Sequence, residues 1–317
     1  MVRGKTSHSI AALHADVAGW PRPSSPALIG AAHVPLYAHP PTSGAGRRRS
    51  GGEGSAPRRP PTRPCETDHM ALRHERVATA EGEARYVMSG SGPPVIMLHG
   101  LDGSWRWWTP TLRRLAPHFR CFALDFSPFD RWRERSRVGL TRAAAFVAAW
   151  LDALGLARAH LLAHSMGGYS ACQFAIAHPA RVERLVLVAP AVLETRTLVG
   201  PHTGQLRARA WTVAPNFLPI LIGDSFRTGP LGWLRSATEL RTATALPLDR
   251  IAAPTLLIWG DRDPLVPPSR GARVQQQIAG SRLLVLPGAR HIPMYERPEP
   301  CNGAIDRFLH GETVGTE

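Results

Sequence analysis

A single lysine, Lys5, stands among the 38 basic residues of this 317-residue chain. Arginine supplies the rest along the whole length, so the formal net charge of +14 reads as coding bias rather than as a binding surface. No module interleaving basic and aromatic residues accompanies the charge, which argues against nucleic acid as a partner. The run Arg131, Arg133, Arg135 and Arg137 reads as a solvated loop. Cysteine is also scarce: Cys65, Cys121, Cys172 and Cys301 lie far apart, with no Cys-x-x-Cys pair and no Cys/His metal spacing. That excludes a disulfide framework and a zinc motif, and predicts free thiols in a reducing, cytoplasmic setting. No uninterrupted apolar run reaches the roughly 18 residues of a membrane span, and no charged start followed by an apolar stretch marks a secretory signal.

The first 69 residues lack core-forming content. From Pro21 to Pro64 the chain is dense in Pro, Gly, Ser and Arg, including Arg47-Arg48-Arg49 and Arg58-Arg59-Pro60-Pro61. Such a composition buries too little apolar surface to offset chain entropy, so residues 1–69 are expected to be a disordered extension. It holds nine Arg/Lys against four Asp/Glu. The run Met70-Ala71-Leu72-Arg73-His74 reads like an ordinary protein start, which suggests that the preceding residues are an upstream extension of the reading frame. The rival is an Arg-rich targeting segment, although its prolines break any amphipathic helix.

After Met70 the pattern changes. Apolar runs at 84–88, 94–98, 120–124, 160–163, 185–188, 255–259 and 282–286 read as strands, several of them continuously apolar as in a parallel sheet buried on both faces. Helical patterns at 107–115, 141–154, 168–178, 269–278 and 298–309 alternate with them. The fold class expected is therefore α/β, a mostly parallel sheet flanked by helices, with the core at 70–190 and 249–317. Residues 191–248 break the rhythm: they show apolar clusters but no strand, and are expected to form a helical lid. From it, Phe217, Leu221 and Trp233 are candidates for lining a substrate pocket.

The chemistry concentrates at Leu161-Leu162-Ala163-His164-Ser165-Met166-Gly167-Gly168, where a strand-like run meets a helix-like one at a serine between small residues. This is the sequence form of a nucleophile elbow, in which a strained turn exposes the serine hydroxyl at a strand tip. The positions two before and two after the serine are usually glycine; here they are Ala163 and Gly167. A serine needs a base and an acid to orient that base. His291, in Pro287-Gly288-Ala289-Arg290-His291 after a strand, fits the base. Gly260-Asp261-Arg262-Asp263-Pro264 offers two carboxylates, Asp263 as the orienting acid, with Asp261 as an alternative whose other role is turn formation. Oxyanion donors are expected at the amides of Met166, after the serine, and Leu101, in the His99-Gly100-Leu101 loop after an early strand. His99 and His164 are read as holding loops in place.

On these four motifs, in this order, the chain from Met70 to about His310 resembles the α/β-hydrolase superfamily, in its lidded, serine-dependent branch. The resemblance implies Ser165 as nucleophile, Asp263 as acid and His291 as base. The serine at the elbow is unlike the dehalogenase and epoxide-hydrolase branches, which carry aspartate there. What it implies is a cofactor-free, metal-free serine hydrolase acting on a carboxylic ester with an apolar part. Similar sequences include carbon–carbon bond hydrolases, thioesterases and perhydrolases, as well as members that have lost catalysis and bind ligands.

Overall fold

Pro94–Leu98, Ala159–His164 and Thr255–Gly260 are almost wholly buried strands. In the computed structural model they are interior strands of one sheet. The structure describes residues 71–125, 139–193 and 214–315. The expected extension 1–69, Cys65, the arginine run at 131–137 and residues 194–213 of the insertion lie outside the described residues.

Among the described residues one sheet has eight strands: β1 (Arg73–Thr79), β2 (Gly82–Ser89), β3 (Pro94–Leu98), β4 (Arg120–Leu124), β5 (Ala159–His164), β6 (Val182–Val188), β7 (Thr255–Gly260) and β8 (Arg282–Leu286), in the spatial order β1-β2-β4-β3-β5-β6-β7-β8. β2 pairs antiparallel with β1 and β4, and every other pair is parallel. The sheet is thus the mostly parallel α/β sheet expected from the alternating pattern.

Successive strand residues point to opposite faces, so Ile96, Leu98 and Leu161 join one core while Val95, Met97 and Leu162 join another. The first core is covered by α2 (Ala143–Ala153) and α3 (Met166–Ala177), the second by α1 (Thr109–Leu115) and α7 (Pro298–Leu309). α5 (Ser269–Gln277) and the short α6 (Pro293–Glu296) follow β7 and β8.

The differences from the sequence expectation have local causes. β1 was not expected because its residues are mostly polar and exposed; it is an edge strand joined to β2 by a tight turn at Ala80 and Glu81. The expected helix at 107–115 is split: a 3₁₀ turn, Trp105–Trp108, is capped by Ser104 Oγ, and α1 begins at Thr109 with Pro110 in its first turn, where its missing N–H costs nothing. α3 stops at Ala177 because Pro179 disfavours helical backbone at His178. In the insertion, α4 (Leu218–Thr242) is two helical stretches broken at Gly229, whose φ of 66° no helix contains, directly before Pro230.

At the opposite end of β5, His160 is buried and its Nδ1 has no hydrogen-bond partner among the described residues. Phe119 meets the ring edge-on at 5.8 Å. Burial drives the imidazole down to about 4. A folded value below the unfolded one means that the unfolded chain binds the extra proton. The stability that neutral His160 allows is complete above about pH 6.5 and is lost as pH falls towards 4, a loss on the order of 3 kcal/mol. His160→Leu should therefore flatten the acid limb: between pH 7.5 and 4.5 the variant should lose about 2 kcal/mol less than the wild type in denaturant titrations. Equal losses in the two proteins would refute this account.

Candidate active site

Ser165 follows β5 directly and precedes α3, with φ 51° and ψ −117°. A non-glycine residue in this region carries roughly 1–3 kcal/mol of strain and persists only where its surroundings over-determine it. Here they do. The Ser165 amide donates to the Val188 carbonyl at 3.0 Å, and the Ser165 carbonyl accepts from the amides of Gly168 (2.9 Å) and Ala191 (3.0 Å). Gly167 completes the turn by close approach: a Cβ there would lie 2.4 Å from the His99 carbonyl oxygen and 2.6 Å from that of Leu98. Ala163, on the other side of the serine, is fully buried between strands and its methyl is accommodated.

The loops that leave β7 and β8 come to the same place because these strands are neighbours in the sheet. His291 Nε2 lies 3.1 Å from Ser165 Oγ, and His291 Nδ1 lies 2.8 Å from Asp263 Oδ2. A carboxylate accepts, so Nδ1 carries the proton and the Nε2 lone pair faces the serine hydroxyl. The other Asp263 oxygen, Oδ1, accepts from the amides of Leu265 (2.8 Å) and Val266 (2.9 Å), and the side chain has no exposed surface. Asp261 turns elsewhere: its Oδ1 accepts from the Gly288 amide at 2.7 Å and ties the β7 loop to the β8 loop. The arrangement can draw a proton from the serine and stabilise the resulting imidazolium.

Two further groups hold the histidine loop. His164 Nε2 donates to the His291 carbonyl at 2.8 Å, and the two rings lie 4.7 Å apart. Burial, followed by the charge of His291, pushes His164 well below its ordinary value, so it stays neutral and serves as a fixed donor. Glu296 accepts the Arg290 amide, and burial raises its carboxyl above the usual range.

The β3 loop faces the elbow. A Cβ on Gly100 would sit 3.1 Å from Ser165 Cβ and 2.8 Å from His164 Nδ1. The Gly100 carbonyl accepts from His99 Nδ1 (2.8 Å) and from the Gly103 amide (3.2 Å). In a trans peptide the C=O and N–H point oppositely, so these bonds aim the Leu101 amide the other way. Asp102 takes φ 62° to make the turn. Burial lowers His99 and raises Asp102 relative to their ordinary values. Met166, after the serine, is buried at the first turn of α3.

Of the three residues read as pocket lining, Leu221 and Trp233 are half-buried on opposite cores, while Phe217 has no exposed surface. Phe217 stands edge-on to Trp107 at 5.2 Å and packs on Tyr295 at 4.9 Å, so it anchors the start of α4. Asp102, Asp224 and Arg227 carry no functional signal in the sequence, because Ser225, Ser104 and Asp125, the respective partners that tie them across the fold, each lie more than a hundred residues away. Among the described residues no cluster of His, Cys, Asp or Glu is arranged to hold a metal ion, and no helix is long and apolar enough to cross a membrane.

The family model for the alpha/beta hydrolase fold matches residues 93–229 and 200–298. Carboxylesterase YbfK of Bacillus subtilis is 29% identical over 269 residues, covering 74% of this chain and 87% of that protein. A 2-hydroxy-6-oxononadienedioate/2-hydroxy-6-oxononatrienedioate hydrolase of Pseudomonas putida is 30% identical over 249 residues, covering 68% of this chain and 87% of its own. The solved structure of an alpha/beta hydrolase fold protein from Nakamurella multipartita superposes with a TM-score of 0.61 at 27% identity, over 75% of this chain and 99% of that one. An eight-stranded, mostly parallel sheet with these motifs at its strand ends, matched over most of its described length, places the chain in the α/β-hydrolase fold family.

Proposed function

We propose that the protein is a serine hydrolase that cleaves a carboxylic ester with an apolar part through an acyl-enzyme on Ser165. The hydrogen-bond chain Ser165–His291–Asp263 carries this reading. Ser165 Oγ attacks the acyl carbon and its proton passes to His291 Nε2. The carbonyl π electrons move to the oxygen, which the amides of Leu101 and Met166 receive. Collapse of this intermediate breaks the bond to the leaving alcohol, which takes the proton from His291. Water then attacks the acyl-enzyme, gives its proton to His291, and the acid departs as Ser165 recovers its hydrogen. No cofactor enters these steps. The insertion acts as a lid, with Leu221 and Trp233 bordering the acyl site and Phe217 packed behind it. The relationship to YbfK favours ester chemistry. The Pseudomonas putida relative supports a second reading on the same three residues, hydrolysis of a carbon–carbon bond beside a ketone.

Ser165→Ala should reduce turnover of p-nitrophenyl esters by about 10⁴-fold or more and abolish fluorophosphonate labelling, since groups that act as a unit fail together. A wild-type protein that neither labels nor turns over any ester of graded chain length would defeat the reading. Turnover that survives Ser165→Ala would defeat the assignment of the nucleophile.

Gly100→Ala tests the oxyanion loop. The added methyl meets His164 Nδ1 at 2.8 Å and Ser165 Cβ at 3.1 Å, so the loop must retreat. Because losing one oxyanion donor costs roughly 10²–10³ in kcat, the variant should fall by at least tenfold in kcat while keeping its circular-dichroism spectrum. Unchanged kcat would show that this loop does not serve the reaction.

A further inference from the structure

The turn that carries Leu101 is gripped from outside the sheet. Asp224, in the first half of α4, is buried and lies 120 residues from Ser104 in sequence. Its Oδ2 accepts from Ser104 Oγ at 2.8 Å and from Trp107 Nε1 at 2.9 Å. Its Oδ1 faces Arg227 Nη1 at 3.4 Å, and Arg227 Nη2 reaches Asp125 at the end of β4 at 3.0 Å. The next residue of α4, Ser225, donates to Asp102 Oδ2 at 3.0 Å, and Thr228 stabilises the same carboxylate. Asp102 is the residue whose positive φ makes the turn after Leu101. Two residues of the oxyanion loop, Asp102 and Ser104, are therefore fastened to one turn of the insertion.

The same carboxylate reaches the other side of the centre. Trp107, which donates to Asp224, packs on the ring of His164 at 5.4 Å. His164 in turn donates to the His291 carbonyl. A buried carboxylate is costly unless fully paired, and Asp224 is paired to the loop, to the ring behind His164 and to a guanidinium. Simple lid packing needs no buried charge; the apolar contacts of Phe217 and Leu240 already dock α4 to the two cores. Glu239 provides a contrast within the same element, since its carboxylate holds the Leu140 amide at 2.9 Å, at the entry to α2.

We propose that Asp224 is a positioning residue for catalysis: it locks the Gly100–Ser104 turn so that the Leu101 amide stands ready for the oxyanion, and thereby makes the first half of the insertion a fixed part of the site. The inference rests on the serine-hydrolase reading of Ser165. It differs from a structural role in what it moves. A loosened oxyanion loop weakens transition-state binding and leaves ground-state binding of the apolar part intact. A misplacement of about 1 Å costs up to roughly 10²-fold.

The test compares Asp224→Ala, Asp224→Asn, Ser104→Ala and Glu239→Ala with the wild type, on one p-nitrophenyl ester and one boronic acid bearing a similar apolar group. Asp224→Ala should lower kcat by about ten- to a hundredfold with KM within about threefold, and raise the boronate Ki by a similar factor. Ser104→Ala should shift the same two quantities in the same direction. Asp224→Asn keeps an acceptor for Ser104 and Trp107 but turns an amide N–H towards Arg227, so it should fall between. Glu239→Ala should lower the melting temperature and leave kcat and the boronate Ki at wild-type values. Wild-type kcat and Ki in Asp224→Asn and Ser104→Ala would overturn the proposal even if Asp224→Ala does not fold. A change confined to KM would overturn it too. A wild-type protein that turns over no ester and takes up no fluorophosphonate sinks the serine-hydrolase reading itself, and this inference with it.

Discussion

The Ser165 backbone is held at φ 51° and ψ −117° by a hydrogen bond from its amide to β6 and by two to its carbonyl. Each neighbouring feature can be derived from that constraint. A chain leaving β5 in this conformation turns sharply enough to start α3 at the next residue, which puts Met166 and its amide at the first turn of a helix. The sharp turn forces Gly167 against the carbonyls of Leu98 and His99, so the end of β3 must lie under the elbow. That contact brings the Gly100 loop alongside the serine. Ala163 is permissible because its methyl is buried in the first hydrophobic core, whereas a Cβ at Gly167 would meet backbone oxygens.

Parallel pairing then does the remaining assembly. Because β5, β6, β7 and β8 follow one another in the sheet and run the same way, the loops after β5, β7 and β8 emerge at one edge. Asp263 and His291 need no long-range device to meet; a register of adjacent strands aligns Gly260 with Leu286 and the two loops continue together. Asp261 reinforces that alignment through the Gly288 amide, which leaves Asp263 to face the imidazole. Two carboxylates two residues apart thus do different work because one points back at the loop and the other at the ring.

The sheet and the strand-end motifs were legible because they rest on local signals: continuous apolar runs, and short patterns that directly follow them. β1 was hidden because an edge strand with one partner has little to bury, so Arg73–Thr79 carries no apolar run. The split before α1 and the break in α4 follow from single residues, Ser104 and the Gly229-Pro230 pair, whose effect depends on the backbone around them. Phe217 illustrates the limit for side chains. Its apolar character was visible, but whether it borders a pocket or fills a core depends on Trp107 and Tyr295, which sequence spacing does not bring beside it. Asp224 was illegible for the same reason: an isolated aspartate in a helical stretch looks like a solvated residue until Ser104 and Trp107 are placed against it.

The electrostatics of the centre follow from which groups are paired. Three imidazoles crowd the site, yet burial makes His99 and His164 weaker bases than an ordinary imidazole, so neither competes for the serine proton. His164 uses its one N–H on the His291 carbonyl and His99 uses its own on the Gly100 carbonyl, so each fixes the backbone of a different loop. The fixed histidines place the loops and the third, hydrogen-bonded to both Ser165 and Asp263, is the one positioned to exchange a proton. On the proposed reading, the same division extends outward: Asp224 and Asp102 are carboxylates spent on holding the oxyanion turn, and Asp263 is the carboxylate placed to answer the charge that develops on His291. A site built in this way holds its donors in place before substrate arrives, which is the condition under which hydrogen bonds aimed at a developing charge lower a barrier without reorganisation at the moment of reaction.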